Sequence, residues 1–248
     1  ILSDSDTTFG AFGLQMSWED QSVHEELSPM PLSERGGLSM DVFRRRPIRR
    51  DELKLVTSFV TTSSLTPDEV ISILSRIVLN PEEELLLKAL RIIEPSIERI
   101  APVALSSARY GSMPQGSKGG VVVKCGGFDK RVPIGTMGDG IWRLLGIALA
   151  LIRAEGGVLL IDEIDTGLHY SVMADMWKLV YATAIRLNVQ VFATTHSSDC
   201  WTSLASVCER SGNLDDITVH RIEKGRDESI RLDRSEITLA ASRAYEIR

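Results

Sequence analysis

Two adjacent carboxylates, Asp162 and Glu163, stand directly after the apolar run Val158-Leu159-Leu160-Ile161, in the context G-G-V-L-L-I-D-E-I-D-T-G-L-H-Y. Four apolar residues without polar alternation predict a strand buried on both faces, as in the middle of a parallel sheet. Open α/β sheets bind their ligands at the carboxyl edge, where a carboxylate pair can hold Mg²⁺ and orient a water. The same residues also suit a core strand that ends in an acidic turn, and the pair alone does not decide between the two. Two further pieces weigh in favour of a site. Val189-Gln190-Val191-Phe192-Ala193 leads into Thr194-Thr195-His196-Ser197, which places a histidine at the end of a second apolar strand. Upstream, Gly138-Asp139-Gly140-Ile141-Trp142-Arg143 is a glycine turn that opens a helix.

The elements that must position these groups follow from periodicity. Ile141, Leu144, Leu145, Ala148, Leu149 and Ile152 recur at helical spacing and form a stripe suited to packing on a sheet. The free N–H groups and dipole at the start of that helix make a seat for phosphate, although a turn that only starts a core helix has the same composition. Tyr170 to Leu187 predicts a second helix, with Val172, Met176, Leu179, Val180 and Leu187 toward the core and Asn188 ending it. A helix from about Asp199 to Arg210 follows, then strands over 217–222 and 229–232 about Gly225, and a closing helix over 235–248.

Earlier in the chain, Phe12, Leu14, Met16 and Trp18 alternate as in a half-buried antiparallel strand, and 21–51 reads as a long polar loop. Thr66-Pro67-Asp68-Glu69 carries a capping box and Asn80-Pro81-Glu82-Glu83 repeats the start signal, so 51–102 reads as a helical insertion between 1–50 and 103–248. Gly111-Ser112-Met113-Pro114-Gln115-Gly116-Ser117-Lys118 is not a phosphate-binding loop. Its residues come in the order Gly-Ser-Lys, and the strand Val121-Val122-Val123-Lys124 follows where a helix is needed.

With these motifs in place, the chain resembles the ABC-type ATPases of the AAA group. Within them it is similar to the bacterial proteins related to overcoming-lysogenization-defect, chromosome-maintenance and recombination ATPases. M-G-D-G-I-W-R-L-L resembles the signature motif, V-L-L-I-D-E the Walker B strand, I-D-T-G-L-H-Y the D-loop region and T-T-H-S the H-loop, together covering about residues 134–200. The resemblance implies an α/β fold of P-loop NTPase type, mostly a parallel sheet with flanking helices and a helical lobe. It implies ATP as substrate with Mg²⁺ held by Asp162, Glu163 as general base and His196 contacting the γ-phosphate; a histidine that merely caps its strand is the alternative for His196. Gly138, Asp139, Gly140 and Arg143 would face a nucleotide across a homodimer, with Asp165 and His169 at the same interface. Gly138 stands where the family places a serine, so contact there would fall to backbone N–H groups and Arg143. The Walker A segment is missing between Ile1 and Arg248, which makes this chain the C-terminal part of such an ATPase and predicts poor hydrolysis by it alone.

The totals fit this reading. Hydrophobic residues at 43%, charged residues at 25% and a net charge of −6 over 248 residues describe an ordinary globular protein without a general nucleic-acid-coating surface. Arg44-Arg45-Arg46-Pro47-Ile48-Arg49-Arg50 is either a local phosphate-binding patch or a solvated loop, and no aromatic residues interleave it. Cys125, Cys200 and Cys208 lack metal-ligand spacing, which points to reduced thiols in a cytoplasmic protein. The run Ile141 to Ile152 is too short, and with Arg143 too charged, to cross a bilayer. The chain opens at Ile1 without a methionine, as a fragment would. By analogy with the group, nucleic-acid maintenance or antiviral defence is the expected setting, with nucleic acid and a separate nuclease or effector as candidate partners. A non-catalytic scaffold that keeps the fold is the alternative.

Overall fold

The computed structural model describes residues 56–103, 120–128, 130–210 and 216–243, together with the backbone of two earlier strands. The Arg44–Arg50 run and the Gly111–Lys118 segment lie outside the described residues. Two units divide the chain, Ile1–Lys54 and Leu55–Arg248. In the first, β1 (Gly13–Asp20) pairs antiparallel with β2 (Val23–Pro31), from Gly13↔Pro31 to Asp20↔Val23. The strand β2 occupies part of the stretch that polarity assigned to a loop. Ladder bonds are made by the main chain, so a pairing partner can hold V-H-E-E-L extended despite its charge.

The second unit runs β3 (Thr57–Val60), α1 (Pro67–Ile77), α2 (Glu82–Arg91), β4 (Ile97–Pro102), β5 (Val121–Cys125), β6 (Val132–Pro133) and a 3₁₀ turn (Ile134–Met137). It continues through α3 (Asp139–Arg153), β7 (Val158–Ile161), α4 (Tyr170–Leu187), β8 (Gln190–Ala193), α5 (Ser198–Arg210), β9 (Val219–Arg221), β10 (Ile230–Leu232) and α6 (Arg234–Ser242). The central sheet is parallel in the order β3-β7-β8, with Val60↔Ile161↔Ala193 in register at its carboxyl edge. The helix α4 makes the crossover from β7 to β8, as parallel neighbours require. Antiparallel β4-β5-β6 and the β9-β10 hairpin complete the strands described in this unit.

Two expectations change here. Within 51–102, β3 joins the central sheet, and α1 and α2 share one apolar core with α3. That packing alters α3 as well. Every residue from Ile141 to Leu151 is buried, rather than a single stripe, because the α1–α2 pair covers the side turned away from the sheet. Among the described residues β7 is buried on one face and open on the other: Leu159 and Ile161 are buried, whereas Leu160 is 37% exposed. Its registered neighbours Phe59 and Phe192 are each 53% exposed, so an apolar row crosses all three strands of the sheet on that face.

Local signals explain the helix ends. Thr66 caps α1 with a complete capping box, its hydroxyl accepting from the Glu69 N–H while the Glu69 carboxylate accepts from the Thr66 N–H. The second start signal works differently from the expectation, since α2 begins at Glu82 after Pro81 with no side-chain cap. Asn80 instead donates to the Arg76 carbonyl at the end of α1, and Glu83 accepts from the Leu79 N–H. Asn188 ends α4 in the left-handed conformation, φ 51°, as its position suggested. The closing helix α6 starts from an Asp233–Glu236 capping box.

Candidate functional site

The carboxylate pair sits just past β7, the middle strand of the sheet. The ladder carries on beyond the strand: the Asp162 N–H donates to Val60 O, and the Thr194 N–H donates to Ile161 O, each at 2.9 Å. Glu163 then takes φ 47°, a left-handed conformation uncommon for a residue with a Cβ. Such a conformation persists only where the surroundings hold it, and its peptide groups are indeed held on both sides.

On the core side the hold is Arg143, one turn into α3 and only 2% exposed. Its Nη2 donates to Asp162 O at 2.6 Å and Glu163 O at 2.8 Å, its Nη1 to Thr61 O, and its Nε to Ile164 O at 3.5 Å. Burial pushes this guanidinium below its ordinary value, and the carboxylates of Asp165, Asp162 and Glu163 act in the opposite direction. The side chain expected to reach toward phosphate therefore points at main-chain carbonyls, joining the ends of β3 and β7.

On the other side the hold is the end of β8. The Thr194 hydroxyl accepts from the Glu163 N–H at 2.9 Å and donates to Asp162 Oδ1 at 2.8 Å. Next to it, the Thr195 hydroxyl donates to Asp165 Oδ1 and accepts from the Ser197 N–H. Glu163 Oε2 accepts from the Thr166 hydroxyl at 3.1 Å. Sequence reasoning passed over these three threonines. The available signal was T-T immediately after an apolar strand, because parallel neighbours in register must end side by side.

The glycine turn is drawn into the same region. Gly138 takes φ 97° as the residue before α3. A Cβ on Gly140 would lie 2.9 Å from Gly167 O, so the start of α3 packs directly on the Asp165-Thr166-Gly167 turn, and Asp139 is beside Gly167. Asp139 and Gly140 are thus brought against the turn that carries Asp165, with Gly138 before them in the chain. His169 is the N-cap of α4, accepting from the Ser171 N–H, and its ring lies 4.2 Å from that of Tyr170. His196 is exposed just past β8, two residues beyond Thr194. Cys200, in the first turn of α5, is fully buried, and burial pushes its thiol up to about 12, against a lowering effect of the neighbouring Thr195.

No group of three or more His, Cys, Asp and Glu side chains converges as a metal site among the described residues. The carboxylates of Asp162 and Glu163, adjacent at the end of β7, are of the oxygen-donor type that Mg²⁺ takes, one or two at a time alongside waters and substrate phosphates. No helix among the described residues is long and apolar enough to cross a membrane.

Against known proteins, residues 70–199 match the family described as "AAA domain, putative AbiEii toxin, Type IV TA system". An ATP/GTP phosphatase of Helicobacter pylori is 34% identical over 77 residues, which is 28% of this chain. The chain spans about a fifth of the length of that curated relative, the match covering 20% of it. Among solved structures, an SMC ATPase studied for ATP-driven dimerization and DNA-stimulated activation aligns over 66% of this chain and 91% of its own, at 14% identity and a TM-score of 0.42. The Smc head bound to the C-winged-helix domain of ScpA aligns over 61% of this chain and 42% of its own, at 16% identity and a TM-score of 0.40.

Proposed function

We infer the function from the premise that this chain belongs to the AAA-domain family just described, whose match takes in more than half of its 248 residues, and propose that it forms the water-activating part of an ATPase. One observation carries the reading: Asp162 and Glu163 stand at the carboxyl end of the middle strand of a parallel sheet, with their main chain fixed by Arg143 and Thr194. In-line attack of water on a γ-phosphate needs positioning and charge stabilisation more than covalent chemistry. Asp162 would hold Mg²⁺, whose charge neutralises the phosphate oxygens when it is bound. Glu163 orients the attacking water and accepts its proton. His196, exposed beyond β8, is free to turn toward the terminal phosphate, and the amides at Gly138–Gly140 form an anion seat at the start of α3.

The phosphate-binding loop is to be sought outside the described residues. The exposed row Phe59, Leu160 and Phe192 supports this, because parallel sheets are covered on both faces and a further layer of polypeptide would bring the loop to the same edge. A homodimer in which Gly138, Asp139, Gly140, Asp165 and His169 face the partner's nucleotide belongs to the same proposal. So do work on nucleic acid or in antiviral defence, and a separate nuclease or effector as partner.

The test is ATP turnover by this chain, by the chain joined to any sequence that precedes Ile1 in its gene, and by Glu163→Gln versions of both. We expect turnover only in a polypeptide with a phosphate-binding loop, and a drop of at least about a hundredfold on Glu163→Gln, the usual scale for removing a general base. Undiminished turnover in the Glu163→Gln protein would overturn the assignment. No turnover in any form would favour a non-catalytic scaffold.

A further inference from the structure

We propose that Thr194 is the positioning residue of the carboxylate pair, the group that sets the directions of Asp162 and Glu163 together. The inference rests on the ATPase reading for its purpose, and on four hydrogen bonds for its substance. The main chain of Thr194 brackets the acidic turn: its N–H donates to Ile161 O at 2.9 Å and its carbonyl accepts from the Ile164 N–H at 3.0 Å. Between those two bonds its hydroxyl accepts from the Glu163 N–H at 2.9 Å and donates to Asp162 Oδ1 at 2.8 Å. One residue of β8's extension is therefore bonded to every residue from Ile161 to Ile164.

The polarity of these bonds makes the hydroxyl directional. A threonine hydroxyl has one proton, and here it goes to the carboxylate while the lone pairs face the amide. Bonding to the amide steadies Glu163 in its left-handed conformation at φ 47°, and bonding to Oδ1 restricts rotation of the Asp162 carboxylate. Arg143 cannot do the second task, since its bonds all end on carbonyls of the main chain. The Thr194 side chain is also exposed, so it contributes little to the core.

These facts make a clean experiment available. Thr194→Val keeps the shape and both main-chain bonds but removes the hydroxyl, whereas Thr194→Ser restores it. Two readouts need no turnover: the hydrogen-exchange rate of the Glu163 amide by NMR, and the affinity for Mn²⁺ alone by electron paramagnetic resonance. In Thr194→Val we expect faster exchange at Glu163, with the ladder amides of Asp162 and residue 194 unchanged, and Mn²⁺ binding weakened roughly tenfold, the scale for losing a hydrogen bond to a metal ligand. Thr194→Ser should return both toward the starting values. Where ATP turnover is measurable, kcat should fall with KM for ATP nearly constant. Wild-type exchange at Glu163 in Thr194→Val, or failure of Thr194→Ser to restore it, would overturn the proposal. Mn²⁺ binding that is absent, or unaffected by Asp162→Asn, would count against the ATPase reading instead, and the exchange rate would still decide the role of Thr194.

Discussion

Arg143 illustrates how one residue type supports opposite readings. A guanidinium near the start of a helix is well placed for phosphate in an open loop, but this one is 2% exposed and ends on the carbonyls of Thr61, Asp162, Glu163 and Ile164. A desolvated cation is tolerated because carbonyl dipoles and three nearby carboxylates face it. Arg143→Met would remove a donor from each of these carbonyls, of which Thr61 O and Glu163 O keep a main-chain donor in Ser64 and Thr166, and chemical denaturation should show a loss of about 3–5 kcal/mol. Arg143→Lys should lose less, since an ammonium keeps the charge but cannot spread its donors as a planar fork does. Equal stability in all three proteins would mean that the carbonyls do not depend on this side chain.

Among the elements, α1 shows the strongest agreement between local signal and local structure. Thr66 and Glu69 cap each other, and Thr66→Ala is expected to cost about 1 kcal/mol in thermal or urea unfolding. The hydrogen bond from the Thr66 N–H, then that from its hydroxyl, holds the Glu69 carboxyl below its usual value, against a smaller opposing effect of burial; Arg153 adds to the lowering. A carboxyl with a depressed folded-state value contributes stability that is present above its unfolded value, about 4.3, and is lost as pH falls through the folded one. The gap between the wild-type and Thr66→Ala proteins should therefore narrow below about pH 4. A gap that stayed constant down to pH 2 would show that the bond between the Thr66 hydroxyl and the carboxylate has no part in the cap.

At the scale of the second unit, the notable feature is its one-sided sheet. Burial of Leu159 and Ile161 on one face, against exposure of Phe59, Leu160 and Phe192 on the other, leaves apolar area facing water where parallel sheets normally have a second layer. Exposed apolar patches of this kind mark interaction sites or drive self-association. Replacing Phe59 and Phe192 by glutamine should change stability by no more than about 1 kcal/mol, since exposed positions cost at most about 0.5 kcal/mol each. Light scattering of the isolated chain should fall at the same time. A large loss of stability would show that the face is covered by polypeptide already within the chain.

What the sequence determined by itself was whatever depends on neighbours along the chain. The capping box at Thr66, the extent of α4 from Tyr170 to Leu187, its end at Asn188, and the acidic pair following an apolar strand are all short-range facts, and they were legible as such. The parallel sheet was legible too, because unbroken apolar runs separated by helices leave few other arrangements. Only the tertiary structure decided which long-range partners those elements meet. Nothing near Thr57 in sequence says that it starts a strand beside β7, and nothing near Arg143 says that its charge will face carbonyls some 20 to 80 residues away. Thr194 and Thr195 became part of the site for the same reason: register between parallel strands places their hydroxyls beside Asp162 and Asp165, and register is a property of the assembled sheet.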